Sequence, residues 1–159
     1  RRRGHPVGDR DGQPAAPDRL MSRKRSQARR HAVQAIYQWQ MTGQDLQEIY
    51  DQFISEQDVE SFELDYFNTL LRGVPNNLND LDSQLGPCLD RSIESVDPVE
   101  RAILRLGAFE LTRRPDIPYR VVINESVELA KLFGADKGHK YVNGVLDKLS
   151  RQVRSAETG

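Results

Sequence analysis

The sequence predicts an all-α fold, a compact bundle of about seven helices. Apolar residues recur at the 3.6-residue helical period from about Gln27 onward, and no segment alternates apolar and polar residues as a half-buried strand does. The chain has 159 residues, of which 37% are hydrophobic. That is enough for one domain, or for two small subdomains that share a core.

The first two predicted helices are bounded by local signals. The first spans about residues 27–41, has its apolar positions on one side, and ends at Thr42-Gly43. The second spans about residues 45–56, and its inward stripe consists of Leu46, Ile49, Phe53 and Ile54.

Two further helices are predicted on either side of a proline. The third begins near Phe62, and Pro75 should kink or break it because proline lacks the amide hydrogen that a helix needs. The apolar pattern resumes over residues 78–85 and stops at Gly86-Pro87.

The clearest helix start opens the second half of the chain. Asp97 is a good N-cap, Pro98 suits the first helical position, and Glu100 can reach back to the amide of the cap residue. The fifth helix is therefore predicted to begin at Asp97. Its buried positions are expected to be Val99, Ala102, Ile103, Leu106 and Phe109.

The last two helices complete the predicted bundle. Ile117-Pro118 introduces the sixth, which has Lys131 in its last turn and Gly134 just after it. The segment Val121-Val122-Ile123 is β-prone but lies inside this helical frame. The seventh is predicted to start near Asp136, with the apolar stripe Val142, Val145, Leu146, Leu149 and Val153.

The ends of the chain are expected to lie outside the folded region. Residues 1–20 are rich in Gly and Pro, and we predict a disordered extension over residues 1–22, with Met21 as a plausible native start. The folded domain is expected over residues 23–152. Residues 153–159 are expected to form a flexible tail.

Charge is divided unevenly along the chain. The net charge is −1, but residues 1–31 carry ten Lys or Arg against three Asp. Residues 32–159 carry thirteen Lys or Arg against twenty-one Asp or Glu. A basic arm ahead of an acidic body favours contact with a polyanion, and the alternative is a solvated basic tail.

Few residues suggest catalysis or metal binding. The histidines His5, His31 and His139 form no His-Glu-x-x-His or Glu-x-x-His pairing. Cys88 is the only cysteine, which excludes an intramolecular disulfide. We therefore predict no enzyme activity, no metal and no cofactor.

No apolar run approaches the ~20 residues that span a membrane, so we expect no membrane contact and a cytoplasmic location.

Cations and tyrosines provide the strongest functional signal. Five cations fall within eight residues, namely Arg23, Lys24, Arg25, Arg29 and Arg30. Such a cluster pairs with phosphates. Tyr37 lies off the apolar stripe on the same face as Arg30, and Tyr141 lies at a stripe edge beside Lys140. An exposed aromatic ring beside a cation can stack an unpaired base and hold its phosphate. The alternative is that both tyrosines are half-buried core-edge residues.

Four stretches carry a resemblance to a known family: RRHAVQAIYQWQ, QFISEQD, DPVERAILRLGAFEL, and DIPYRVVINESVELAKLFG followed by HKYVNGVLDKL. Over roughly residues 23–152 the chain resembles the NusB family of transcription antitermination factors. The resemblance implies two packed subdomains of three to four helices. It also implies binding of the boxA element, a single-stranded RNA sequence in ribosomal RNA leader transcripts.

The resemblance further implies partners and contact residues. The implied partner is NusE, a small-subunit ribosomal protein, in a heterodimer that joins the antitermination complex on RNA polymerase. The implied RNA contacts are Arg23, Lys24, Arg25, Arg29, Arg30, Lys140 and Tyr141. The implied partner contacts are Tyr37, Glu94 and Glu100. Tyr141 stands where the family usually has Phe, which keeps a stacking ring, and Lys137 stands where an acidic residue is expected. The family includes monomers and homodimers, and the sequence leaves that choice open.

Two rival functions remain. The same helical module resembles the N-terminal domain of some ribosomal RNA cytosine methyltransferases, but we expect no catalytic domain after the last helix. The second rival is a protein-interaction scaffold with an incidental basic tail. Salt-dependent RNA binding would distinguish the scaffold from an RNA-binding factor.

Overall fold

The computed structural model describes residues 16–134 and 137–158, and its described part is helical with no strand. The helices are α1 (Ala16–Thr42), α2 (Leu46–Glu56), α3 (Leu64–Asn76), α4 (Leu78–Leu85), α5 (Pro98–Arg113), α6 (Tyr119–Phe133), α7 (Gly138–Val153) and the single turn α8 (Ser155–Thr158). Short 3-10 turns cover Gly86–Cys88 and Ile93–Ser95. The all-α prediction is confirmed, and α1–α7 correspond to the seven predicted helices.

Local signals place most helix boundaries where the sequence predicted them. The Asp97 carboxylate accepts hydrogen bonds from the backbone amides of Val99 at 3.1 Å and Glu100 at 3.2 Å, so it caps α5. Gly43, just beyond α1, has φ +67°, a left-handed conformation that favours glycine. Pro75 lies in the last turn of α3, and a break at Asn77 separates α3 from α4. The predicted start of α7, Asp136, lies outside the described residues.

The core is built around α5. Every residue from Ala102 to Leu111 is buried, so the middle of α5 is enclosed on all sides. Helices α1–α3 pack on one another, as do α5–α7, and both α1 and α3 also pack against α5. The two groups therefore share one core. Gly73 permits the close approach of α3 to α5, because a β-carbon at that position would lie 2.5 Å from Phe109 Cζ.

The start of α1 corrects one prediction. The helix begins at Ala16 and not near Gln27, so residues 16–22 are helical and not a disordered extension. The segment lacks an inward apolar stripe, and Leu20 and Met21 are exposed. Its residues are nevertheless mostly good helix formers, and extending an existing helix is much easier than nucleating a new one. The remaining predicted extension, residues 1–15, lies outside the described residues.

The end of the chain corrects another prediction. Arg154 falls in the predicted flexible tail, but its side chain is buried. Its Nε donates to the Leu111 carbonyl at 2.8 Å, its Nη2 donates to the Arg114 carbonyl at 2.9 Å, and it forms an ion pair with Glu157. These bonds satisfy carbonyls at the carboxyl end of α5 that lack helical partners. None of the described helices is both long and apolar enough to cross a membrane.

Candidate nucleic-acid interface

The predicted basic arm is the amino-terminal half of α1, and its cations face different surroundings. Arg23 and Arg30 are exposed, and Lys24 is partly exposed. Arg25 forms a two-pronged ion pair with Glu63, with Nε–Oε1 at 3.0 Å and Nη2–Oε2 at 2.8 Å. The Arg25 guanidinium also lies 4.1 Å from the ring centroid of Tyr66. Arg25 is therefore held in place but stays partly accessible to solvent.

The structure corrects the predicted set of RNA contacts at Arg29, because the side chain of this residue is only 3% exposed. Arg29 Nε donates to both carboxylate oxygens of Glu110, at 3.1 and 2.9 Å, and Nη1 lies 3.2 Å from Glu125 Oε1. The Tyr66 hydroxyl also donates to Glu110. Burial alone would lower the pKa of Arg29, but the negative charges of Glu110 and Glu125, together with the hydrogen bond to Glu110, outweigh it and raise that pKa.

The reason for the Arg29 error is visible in the helix period. Arg29 precedes Val33 by four residues and Ile36 by seven, so all three lie on one buried face of α1. The sequence signal was available: a cation in register with apolar residues requires a buried acidic partner. That partner, Glu110, lies in α5 among residues that are otherwise almost all apolar.

Arg30 lies about 100° around α1 from Arg29, at a shallow groove between α1 and α6. Gln27, Glu128, Lys131 and Leu132 help to line this groove. Lys131 forms a loose ion pair with Glu128 at 3.5 Å. Lys131 thus lies at the same groove as Arg30, a proximity that its sequence position near the end of α6 does not reveal.

The second predicted RNA-contact group lies at the start of α7. Lys140 is exposed and Tyr141 is half-buried, with part of its ring against the core. The Tyr141 hydroxyl donates to Asp90 Oδ1 at 3.1 Å. Burial, and then the bond to Asp90, raise the pKa of Tyr141. Tyr141 thus has both a core-edge position and a partly accessible ring.

The predicted partner residues gather around the start of α5. Gln40, one turn beyond Tyr37 on α1, donates to the Pro98 carbonyl at 3.0 Å. Arg101 donates to the Glu94 carbonyl at 3.3 Å. Tyr37 is 37% exposed, and Met41, one helical turn further, is 53% exposed. These two residues form a small exposed apolar patch, and Met41 is its member that the sequence did not predict.

Glu100 connects this region to the start of α7. A β-carbon at Gly138 would lie 2.5 Å from Glu100 Oε2, so the carboxylate lies against the first turn of α7. Burial, and then the negative charge of Asp97, raise the pKa of Glu100. Lys137, which stands where an acidic residue was expected, is exposed at the same end of α7.

The structure therefore separates the predicted RNA contacts into two patches. The arm of α1 contacts α5 at Glu110, whereas the start of α7 contacts α5 at Glu100. Glu100 and Glu110 are ten helical residues apart, which corresponds to about 15 Å along the axis of α5. Among the residues that the structure describes, no group of three or more His, Cys, Asp or Glu is placed to hold a metal ion.

Fold and surface together define a class: an all-helical domain that presents basic side chains at two places on its surface, with an aromatic ring at one of them. The NusB family model matches residues 26–151. The chain belongs to the NusB family.

Sequence relatives agree with this assignment. A transcription antitermination protein NusB from Nitrosococcus oceani is 58% identical over 137 residues, covering 86% of this chain and 92% of that protein. A protein of the same name from Stenotrophomonas maltophilia is 51% identical over 152 residues, covering 96% of both chains.

Solved structures share the fold. NusB from T. maritima has a TM-score of 0.70 at 27% identity and covers 80% of this chain and 90% of its own. A crystal structure of antitermination factors NusB and NusE in complex with double-stranded RNA has a TM-score of 0.74 at 28% identity. That match covers 83% of this chain and 99% of the other.

Proposed function

We propose that this protein is a non-catalytic, cytoplasmic RNA-binding factor that acts in transcription antitermination. In this proposal it binds the boxA element of ribosomal RNA leader transcripts as a heterodimer with NusE. The heterodimer joins the antitermination complex on RNA polymerase and suppresses premature termination. The helical body that the structure describes serves as the RNA-binding domain.

The observation that carries the proposal is the likeness to the NusB–NusE–RNA complex, which covers 99% of the matched chain. That structure holds double-stranded RNA, whereas we propose a single-stranded target. The reason is the half-buried ring of Tyr141, beside the exposed Lys140. An aromatic ring at the surface binds an unpaired base by stacking, which a base within a duplex does not allow.

The proposed RNA contacts form two groups. The α1 group consists of Arg23, Lys24, Arg25 and Arg30, and Arg29 is excluded because of its burial. The α7 group consists of Lys140 and Tyr141. The cations neutralise phosphates and release counterions, while the ring of Tyr141 stacks on a base.

The proposed NusE surface consists of Tyr37, Glu94 and Glu100, together with Met41. Tyr37 and Met41 offer exposed apolar area, while near the start of α5 Glu94 is exposed and Glu100 is partly exposed. An apolar centre with charged groups at its rim is typical of a moderate-sized protein interface.

A transcription assay tests the function directly. RNA polymerase transcribes a template with a boxA-containing leader ahead of a terminator, in the presence of NusE and the other Nus factors. We expect addition of this protein to increase the fraction of full-length transcripts, and a scrambled boxA to abolish the increase. Equal termination with and without the protein on the boxA template would refute the proposal.

A further inference from the structure

Arg91 lies beside Tyr141, in the segment between α4 and α5. Its guanidinium carbon is 4.9 Å from the centroid of the Tyr141 ring, which is within the range of a cation–π contact. The Arg91 side chain is 46% exposed. A planar cation and an aromatic ring thus share one accessible place on the surface.

Asp90 fixes the relative positions of these two side chains. Its carboxylate accepts hydrogen bonds from Arg91 Nε at 2.7 Å and Nη2 at 3.0 Å, and from the Tyr141 hydroxyl at 3.1 Å. The hydrogen bond from Arg91, and then that from Tyr141, hold the pKa of Asp90 at about 2. Asp90 is therefore ionised at neutral pH and keeps both partners.

The surroundings of Arg91 connect the two proposed binding surfaces. The positive charge of Arg91 acts on Glu100, where it opposes the effect of burial on the pKa of that carboxyl. Glu100 lies against Gly138 in the first turn of α7, two residues before the exposed Lys140. Arg91 consequently lies near both the proposed NusE contact Glu100 and the proposed RNA contact Tyr141.

We propose that Arg91 contacts the RNA and that Asp90 is the residue that positions it. The guanidinium lies over the face of the Tyr141 ring and continues that stack outward to an unpaired base, and its charge meets the adjacent phosphate. A guanidinium suits this role because it is flat, always charged and weakly hydrated. This inference rests on the function proposed above.

The competing explanation is that Arg91 only neutralises Asp90. Arg91→Ala would then weaken RNA binding indirectly, by leaving a bare carboxylate beside the RNA. The double variant Asp90→Asn/Arg91→Ala separates the two explanations, since it has neither the carboxylate nor the guanidinium. Its proper reference is Asp90→Asn alone, which keeps the guanidinium.

The experiment titrates a boxA RNA with the NusE complexes of wild type, Arg91→Ala, Asp90→Asn and the double variant, at several salt concentrations. We expect Arg91→Ala to weaken binding about five- to tenfold, and the double variant to bind about fivefold more weakly than Asp90→Asn. The log–log salt slope should fall by about 0.7 when the guanidinium is removed. A double variant that binds as tightly as Asp90→Asn would overturn the proposal.

Two further variants sharpen the result. Arg151→Ala is the matched control, because Arg151 is an exposed arginine on α7 paired with Asp147 at 3.0 Å, and it should leave binding unchanged. Arg91→Lys keeps the charge but not the plane, so it should restore the salt slope and only part of the affinity. Full recovery of affinity would refute stacking by Arg91. Failure of the wild-type complex to bind boxA RNA would refute the proposed function, and this inference with it.

Discussion

Arg29 and Arg30 are neighbours in the sequence, but the structure gives them different surroundings. Arg29 is enclosed by carboxylates in the core, whereas Arg30 is exposed at the groove between α1 and α6. A cluster of cations predicts contact with phosphate, yet the helix period decides which of its members can reach solvent. Burial of one residue in a basic run can be predicted from its register, but the identity of its partner requires the tertiary fold.

The first prediction contrasts these two arginines. Arg29→Ala should lower the free energy of unfolding by about 3–5 kcal/mol, because it leaves Glu110 buried without its cation. Arg30→Ala should change the free energy of unfolding by less than about 0.5 kcal/mol but weaken RNA binding and reduce the salt slope by about 0.7. Urea unfolding and RNA titration of both variants check this. An Arg29→Ala variant of wild-type stability that loses RNA binding would contradict it.

Tyr141 combines a position at the edge of the core with a partly accessible ring. Tyr141→Ala should weaken RNA binding by about 1–3 kcal/mol, the contribution of one base–aromatic stack. Because the ring is half-buried, the free energy of unfolding should also fall, by about 1–2 kcal/mol. Tyr141→Phe keeps the ring and loses the bond to Asp90, so it should retain nearly full RNA affinity. Thermal melts with RNA titrations test this, and a folded Ala variant with normal RNA affinity would rule out stacking.

Glu100 allows charge to be separated from stability. Its raised pKa means that the folded state disfavours the ionised carboxyl, so its contribution to stability is greatest at low pH and is lost as the pH rises through the folded-state pKa. Glu100→Gln should therefore leave the melting temperature at pH 7 unchanged or slightly higher while weakening NusE binding. Calorimetry with NusE measures both effects. Intact NusE binding together with a clear fall in melting temperature would mean that Glu100 is only structural.

At the scale of helices, boundaries were easier to predict than surroundings. The cap at Asp97 and the break after Pro75 follow from local chemistry, and both are present in the structure. The burial of residues 102–111 of α5 on all sides was not predicted, because the apolar stripe of α5 with its Arg105 and Glu110 resembles an ordinary amphipathic helix. Arg105 is held by Asp82 of α4 through two hydrogen bonds, a pairing that only the packed fold reveals.

Two glycines test the helix packing. Gly73→Ala should lower the free energy of unfolding by about 1–3 kcal/mol, because the added methyl meets the Phe109 ring and α3 must move away from α5. Gly144→Ala is the matched control: it is an exposed helical glycine with nothing within 4 Å of an added methyl. Its higher helix propensity should raise the free energy of unfolding by about 0.5–1 kcal/mol. Equal effects of the two substitutions in denaturant unfolding would contradict the described approach of α3 to α5.

At the scale of the whole molecule, α5 separates two surface regions. The α1 arm lies toward its carboxyl end, and the start of α7, together with the proposed NusE surface, lies toward its amino end. The sequence predicted both groups of residues but not their separation, because the distance between residues 30 and 140 depends on how the helices pack. A single RNA strand that reaches both regions would pass Arg30 on one side and Arg91 and Tyr141 on the other.

The binding isotherm of a boxA RNA, with and without NusE, tests the central claim most directly. We expect salt-dependent binding by the protein alone, tighter binding by the NusE heterodimer, and weaker binding of a scrambled strand and of a duplex of the same length. Reciprocally, boxA RNA should tighten the affinity for NusE by the same factor. A heterodimer that forms normally but binds boxA no better than the scrambled strand, at every salt concentration, would contradict the account and favour a protein-interaction scaffold.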